Sequence, residues 1–439
     1  MVNQDIHLRD IENKMENDTD SDDDADSVNV ENANKSKIPF RKIGQLFLAI
    51  AIVVAVVCIA LPSSLVNKLE PYSSGVIFKA LFGSFMVCLF ICLCFIYYLG
   101  SESQAMWDVD SDSFGDLNLS FSNVTAIIGI VIEFVQICSF SFNAESSYLG
   151  SKYLGYSNYL AIPYKPGTPF RVMYWVMFVI AFSPYIFVVV VRLVLHFMTK
   201  RFGEGYTATF VSKYQQNIYS ILWFLVNTMY LPVISTMFGG VDCTVDGSLN
   251  TLDSDPTINC LKGLHIPFIV CSLIALVMYY PAASFAQSQT QNISDIKFKP
   301  RVVFIFVQGK VILASMTVFA TNLIKLYLGA VIAVNFCFLV INVALKPCLV
   351  EWVNRMRTVF FSFCFWCTIC SWVAYDDNTK SYAPLVLLIV GWVVLAIGFF
   401  LFYTFRPIVM EYVSKAPFMR KSNRSLKAPS SAASMDISP

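Results

Sequence analysis

Charge is what this sequence has least of. Only 14% of its 439 residues are Asp, Glu, Lys or Arg, 56% are hydrophobic, and the mean hydropathy is +0.61. That balance excludes an ordinary soluble domain, in which about a quarter of residues are charged. Histidine is scarcer still, and His7, His196 and His265 are too scattered to suggest a zinc site. No phosphate-cradling glycine loop, nucleophile elbow or basic face interleaved with aromatics is present. Neither enzymatic chemistry, a cofactor nor a nucleic-acid partner is therefore expected.

Long apolar runs fill the chain instead. A helix needs roughly 20 apolar residues to cross a hydrocarbon core of about 30 Å. Ten runs qualify: Gly44 to Leu61, Val76 to Leu99, Leu119 to Phe140, Val172 to Phe197, Ile218 to Met237, Ile266 to Phe285, Val302 to Asn322, Leu326 to Leu345, Val359 to Ala374 and Pro384 to Phe405. The expected fold is an all-α, multi-pass membrane bundle over residues 41–405, with both termini cytosolic. Fusing the seventh and eighth runs would leave nine spans and invert the later loops. Charge bias argues against fusion, because ten spans place about 19 Lys and Arg inside and about 7 outside. Residues 100–118 are the exception, assigned inside yet carrying Glu102 and four aspartates without a base.

Residues 1–40 include an acidic, aromatic-free tract that cannot bury enough apolar surface to fold, and are expected to be a disordered cytosolic tail. The first span then serves as an uncleaved signal anchor. Residues 406–439 are expected to form a basic, disordered tail. Both tails could take cytosolic partners, and the basic one could rest on anionic headgroups. The composition does not distinguish a monomer from a homo-oligomer.

Of the 13 cysteines, most fall within spans, where they pack as small apolar groups. "CFWC", Cys364 to Cys367, has redox or metal spacing, but its apolar setting favours packing. Cys243 and Cys260 differ. They bound a turn-rich loop on the predicted outer side, where a disulfide would form and tie the fifth and sixth spans together. "DVDSDSFGD", Asp108 to Asp116, resembles a calcium loop only superficially, because Ser113 and Leu119 stand where the turn glycine and bidentate glutamate are needed.

Polar groups within the spans are few enough to weigh singly. Glu133 in the third and Lys310 in the seventh have opposite sign and comparable depth, so pairing would relieve both desolvation costs. Gln136 lies one helical turn from Glu133, and Gln308 is beside Lys310. Asn227 and Asn335 lie in the fifth and eighth spans. These six residues are the candidate lining of a pathway for an inorganic ion or small solute, and hydrogen bonding between helices is the alternative. Pro184, Pro232 and Pro281 each remove a backbone donor and are expected to kink three successive spans, either around a cavity or for packing.

The stretch "NTMYLPVISTMFGGVDC", followed by "INCLKGLHIPF" and "MYYPAASF", resembles the membrane region of protist and fungal TRP-like multi-pass proteins. Pro232, Cys243, Cys260 and His265 fit that pattern, whereas Leu261 and Lys262 replace an aromatic expected after the second cysteine. Ten spans with cytosolic ends are also similar to the anoctamin and transmembrane-channel-like architecture. These resemblances imply an ion channel or channel-like protein in a plasma or other secretory-pathway membrane. A secondary transporter and a non-conducting receptor or scaffold are the alternatives.

Overall fold

The structure is a computed structural model that describes residues 42–60, 71–95, 120–142, 161, 170–246, 249–288, 296–320, 323–377 and 383–415. Residues 1–40, the acidic segment 100–118 and residues 416–439 lie outside the described residues. Among the described residues, ten helices are long and apolar enough to cross a membrane. They are α1 (Lys42–Ala60), α2 (Pro71–Leu93), α3 (Phe121–Ser139), α4 (Phe170–Phe202), α5 (Glu204–Gly239), α6 (His265–Ser288), α7 (Pro300–Phe319), α8 (Ile324–Leu345), α9 (Glu351–Asp377) and α10 (Ala383–Lys415). Every predicted run coincides with one of them.

The seventh and eighth runs stay separate as expected, α7 ending where Ala320 N–H bonds back to Met316 O at 3.0 Å. Several boundaries move, most of all the start of α5, from Ile218 back to Glu204. α9 begins two turns before Val359, because its first charged residues extend the helix rather than stop it. α10 runs on to Lys415, so the segment expected to be disordered from residue 406 begins as helix. The ring of the bundle is uneven: 67% of the most apolar window of α7 is buried, against 6% for α4 and α10, which lie on the periphery.

None of the three prolines interrupts its helix. A proline at position i leaves the carbonyl of i−4 without its helical donor, which is costly in apolar surroundings. Two of these carbonyls have found other donors. Thr228 O, freed by Pro232, accepts from Gln136 Nε2 at 2.7 Å, and Ile180 O, freed by Pro184, accepts from the Ser183 hydroxyl at 2.7 Å.

The two ends of the bundle are closed differently. At one end a single antiparallel bridge, Phe298 with Cys348, zips the turn before α7 to the turn after α8, with Lys299 N–H on Pro347 O and Leu349 N–H on Lys297 O. Asn354 clasps the same turn, accepting from Cys348 N–H and donating to Cys348 O. At the other end lies a small antiparallel sheet of β1 (Cys243–Asp246), β2 (Leu249–Leu252) and β3 (Asp255–Asn259). The expected Cys243–Cys260 disulfide closes it, with Cα atoms 6.1 Å apart.

His265 explains why a histidine opens α6. Its Nδ1 accepts from Leu261 N–H at 2.8 Å and its Nε2 faces Gly240 O at 3.1 Å, so one neutral ring stitches α5 to α6. The bond also holds Leu261 in a left-handed backbone conformation, φ 58°. Arg171 at the start of α4 bonds Asp255 and Thr257 of β3, and Lys79 of α2 reaches Asp242 at 3.2 Å.

Two predictions follow from this packing. A Cβ on Gly309 would overlap the ring of Phe338 on α8, and that ring is held by Phe306 and Phe361. Gly309→Ala should therefore cost about 1–3 kcal/mol, as overpacking does. Adding Phe338→Leu should recover most of the loss in a detergent thermal melt. Burial, reinforced by Asp253 and opposed by Lys79, pushes the Asp242 carboxyl up to about 7. The folded chain then holds a proton between about pH 4 and 7 that an unfolded aspartate releases, so folding gains as pH falls through 7 toward 4. Melting should be several degrees higher at pH 5.5 than at pH 8, with that gain shrinking in Asp242→Asn. An undiminished gain in the variant would assign it elsewhere.

Candidate functional site

Glu133 and Lys310, whose meeting the sequence left open, are in contact. Lys310 Nζ lies 2.8 Å from Glu133 Oε1, with Lys310 buried at 3% and Glu133 largely covered at 12% side-chain exposure. A second cation that the sequence reading left among loop charges completes the site: Arg357 Nη2 is 3.6 Å from Glu133 Oε2, with 6% of the Arg357 side chain exposed. Three helices, α3, α7 and α9, thus converge on one carboxylate.

Arg357 reaches it because α9 starts early. Within "EWVNRMR", Arg355 and Arg357 are two residues apart and so point about 200° away from each other on the helix. Arg355 stays half exposed, pairing with Glu351 at 3.5 Å, while Arg357 turns inward. Its guanidinium lies 4.7 Å from the centroid of Phe306, 5.0 Å from Phe298 and 5.3 Å from Phe361. Ring faces attract a desolvated cation by about 2 kcal/mol in favourable cases. The aromatic box therefore offsets part of the cost of burying a guanidinium whose carboxylate partner is shared with Lys310.

Lys310 also directs Nζ to Gln287 Oε1 of α6 at 3.4 Å. With all three groups ionised the cluster carries a net positive charge. Beside it is a cavity of about 30 Å³ lined by Glu133, Asn227, Gln287, Lys310 and Arg357 together with apolar side chains. Its volume and polar lining suit one or two water molecules.

The six candidate lining residues separate. Glu133, Lys310 and Asn227 meet at this cavity. Gln136 does not line it, being engaged on the backbone beside Pro232. Gln308, two residues from Lys310 and therefore on the opposite face of α7, accepts from the Tyr280 hydroxyl and borders a different cavity. Asn335 donates to Thr368 Oγ1 at 3.0 Å, in a polar seam that continues from Thr368 to Ser141. Gln287 and Arg357 were not among the candidates. The signal for Arg357 was its place four residues before Phe361, which puts an arginine and a phenylalanine on the same face of an otherwise apolar helix.

The "CFWC" cysteines are buried. Cys367 Sγ lies 3.3 Å from Cys138 Sγ of α3 and Cys364 donates to Phe134 O, so these thiols pack α9 on α3 one turn beyond Glu133. The cluster Cys243, Cys260 and His265 has the proximity of a metal site, but its sulfurs are joined to each other.

The shared carboxylate predicts unequal mutational costs. Glu133→Gln leaves two buried cations facing one another and should cost about 3–5 kcal/mol. Lys310→Met leaves Glu133 with Arg357 and should cost less, and the double variant should be more stable than Glu133→Gln alone. Chemical denaturation in detergent measures all three, and strict additivity of the two single effects would show that the groups are not coupled. Two proteins of Dictyostelium discoideum are similar to this chain. Tiny macrocysts protein B is 26% identical over 301 residues, 64% of this chain and 20% of that protein, and Tiny macrocysts protein C is 25% identical over 308 residues, with the same shares. The chain thus spans about one fifth of the length of the curated relatives it matches. No protein-family profile matches it, and no solved structure does.

Proposed function

We propose that the ten helices form a membrane-spanning, channel-like ion conductor in which Glu133, Lys310 and Arg357 make the closed central constriction. One observation carries this reading: three ionisable side chains from three helices meet deep within the bundle beside a cavity of about 30 Å³ whose mainly apolar wall also carries Asn227 and Gln287. Charges at such depth are costly, and in membrane proteins they mark ion and proton pathways more often than packing. Asn227 and Gln287 supply neutral polar groups that can replace part of an ion's hydration shell. The cavity is too small for a hydrated ion, so conduction requires the carboxylate to part from one of its cations. Two cations against one carboxylate make an anion the favoured passenger.

Reconstitution into planar bilayers and into liposomes tests this. The protein should pass unitary currents, Glu133→Gln should raise anion over cation permeability severalfold, and Lys310→Met should lower it. Saturable flux without unitary currents would instead identify a secondary transporter. Absence of both currents and flux from protein with an intact melting transition would leave a receptor or scaffold.

A further inference from the structure

A larger cavity does not touch the charged cluster. It occupies about 430 Å³ between α2 and α7, with the end of α5 and Tyr280 of α6 behind it. That volume lies within the range of about 300–1,000 Å³ typical of small-molecule sites. Its two principal walls share one spacing. On α2 the lining runs from Phe78 and Lys79 through Phe82, Gly83, Met86 and Val87 to Phe90, and on α7 it is Gln308, Val311, Ile312, Ser315, Met316 and Phe319. Both series step by three and four, so each wall is one continuous helix face, and the two faces meet where the rings of Phe82 and Phe319 lie 5.7 Å apart. The α2 wall spans twelve residue steps and the α7 wall eleven, about 18 Å and about 17 Å at 1.5 Å per residue. One leaflet of a bilayer with a hydrocarbon core of about 30 Å offers about 15 Å.

Polar groups sit at the ends of this slot. At the disulfide end Lys79, 42% exposed, carries an ammonium whose three donors are not exhausted by Asp242. At the opposite end Gln308 and Tyr280 form the floor, bonded to each other. Between them the walls are phenylalanine, methionine, valine and isoleucine, with Ser315 the polar exception. Val87 and Phe90 are largely exposed, so the slot opens sideways, in the direction from which a lipid would enter.

We infer that this slot binds a long-chain fatty acid, its hydrocarbon chain lying between α2 and α7 and its carboxylate on Lys79. Length, a nearly all-apolar wall and a single accessible cation at one rim match a single chain with one acidic head. Gly83 is what keeps the slot wide, since a side chain there would meet nothing within 4 Å and would project into free space. The inference does not depend on ion conduction.

A diazirine-bearing long-chain fatty acid, applied to the full-length protein in phosphatidylcholine nanodiscs and followed by peptide mapping, tests it. Labelling should concentrate on residues 71–93 and 300–319 and be competed by unlabelled fatty acid. Gly83→Phe should reduce it at least tenfold without lowering the melting temperature, and Gly83→Leu serves if the larger ring prevents folding. Lys79→Gln should weaken the acid severalfold while leaving the corresponding fatty alcohol unchanged, which separates head recognition from chain burial. A folded Gly83 variant that labels like the wild type, or labelling spread evenly over α4 and α10, would overturn the assignment. Equal loss of acid and alcohol in Lys79→Gln would overturn the part given to the carboxylate.

Discussion

One carboxylate with two claimants organises the middle of this bundle. Glu133 cannot be stripped of water alone, and neither can Lys310 or Arg357, so the three helices that carry them are compelled to converge. The surrounding packing accommodates that convergence. Arg357 is wrapped by three phenyl rings, and two of them, Phe306 and Phe361, also hold Phe338 against the bare backbone of Gly309. A side chain at position 309 would push α8 away from α7 and loosen the aromatic box around the guanidinium. The glycine is therefore part of the electrostatic arrangement without carrying charge.

The same rule, that no polar group is buried without a partner, acts on the backbone. Pro232 frees a carbonyl at Thr228, and Gln136 on α3 supplies the missing donor. The bond fixes α3 against α5 near the depth at which Glu133 must meet α7. At the disulfide end His265 does comparable work, joining Gly240 and Leu261 through the two nitrogens of one ring. Side-chain amides and imidazole thus act here as substitutes for backbone donors and acceptors, and they are tied up by that task.

Much of the architecture was legible in the sequence, for reasons that differ by feature. Apolar length marks each helix because it reports directly on the cost of exposing the run to water, and it located all ten. The disulfide was legible because two cysteines bound the turn-rich loop between two runs. Sign and depth made Glu133 and Lys310 candidates for each other, but whether they meet was not legible, because that depends on how their helices are turned. What sequence could not convey was rotational phase relative to the neighbours. Gln136, Gln308 and Asn335 have the chemistry of lining groups, yet they face a backbone carbonyl, a tyrosine and a threonine. Arg357 was hidden for a related reason. Charge density near a helix end resembles a loop until the structure shows that one of two nearby arginines points outward and the other inward.

α7 is where these constraints meet, and three consecutive residues show it. Successive side chains on a helix diverge by about 100°. Gln308 faces the long apolar slot and Tyr280, Gly309 faces Phe338, and Lys310 faces Glu133. A rotation that opened the ion pair would carry Gln308 away from Tyr280 and swing the backbone of α7 off the Phe338 ring. The charged cluster and the apolar slot are therefore borders of a single rigid element. Separating Lys310 from Glu133 requires either that α7 turn as a unit or that Glu133 move on α3 toward Arg357. The second route leaves the slot intact. The first changes its floor at Gln308, so the geometry of α7 links the state of the buried charges to the shape of the cavity beside it.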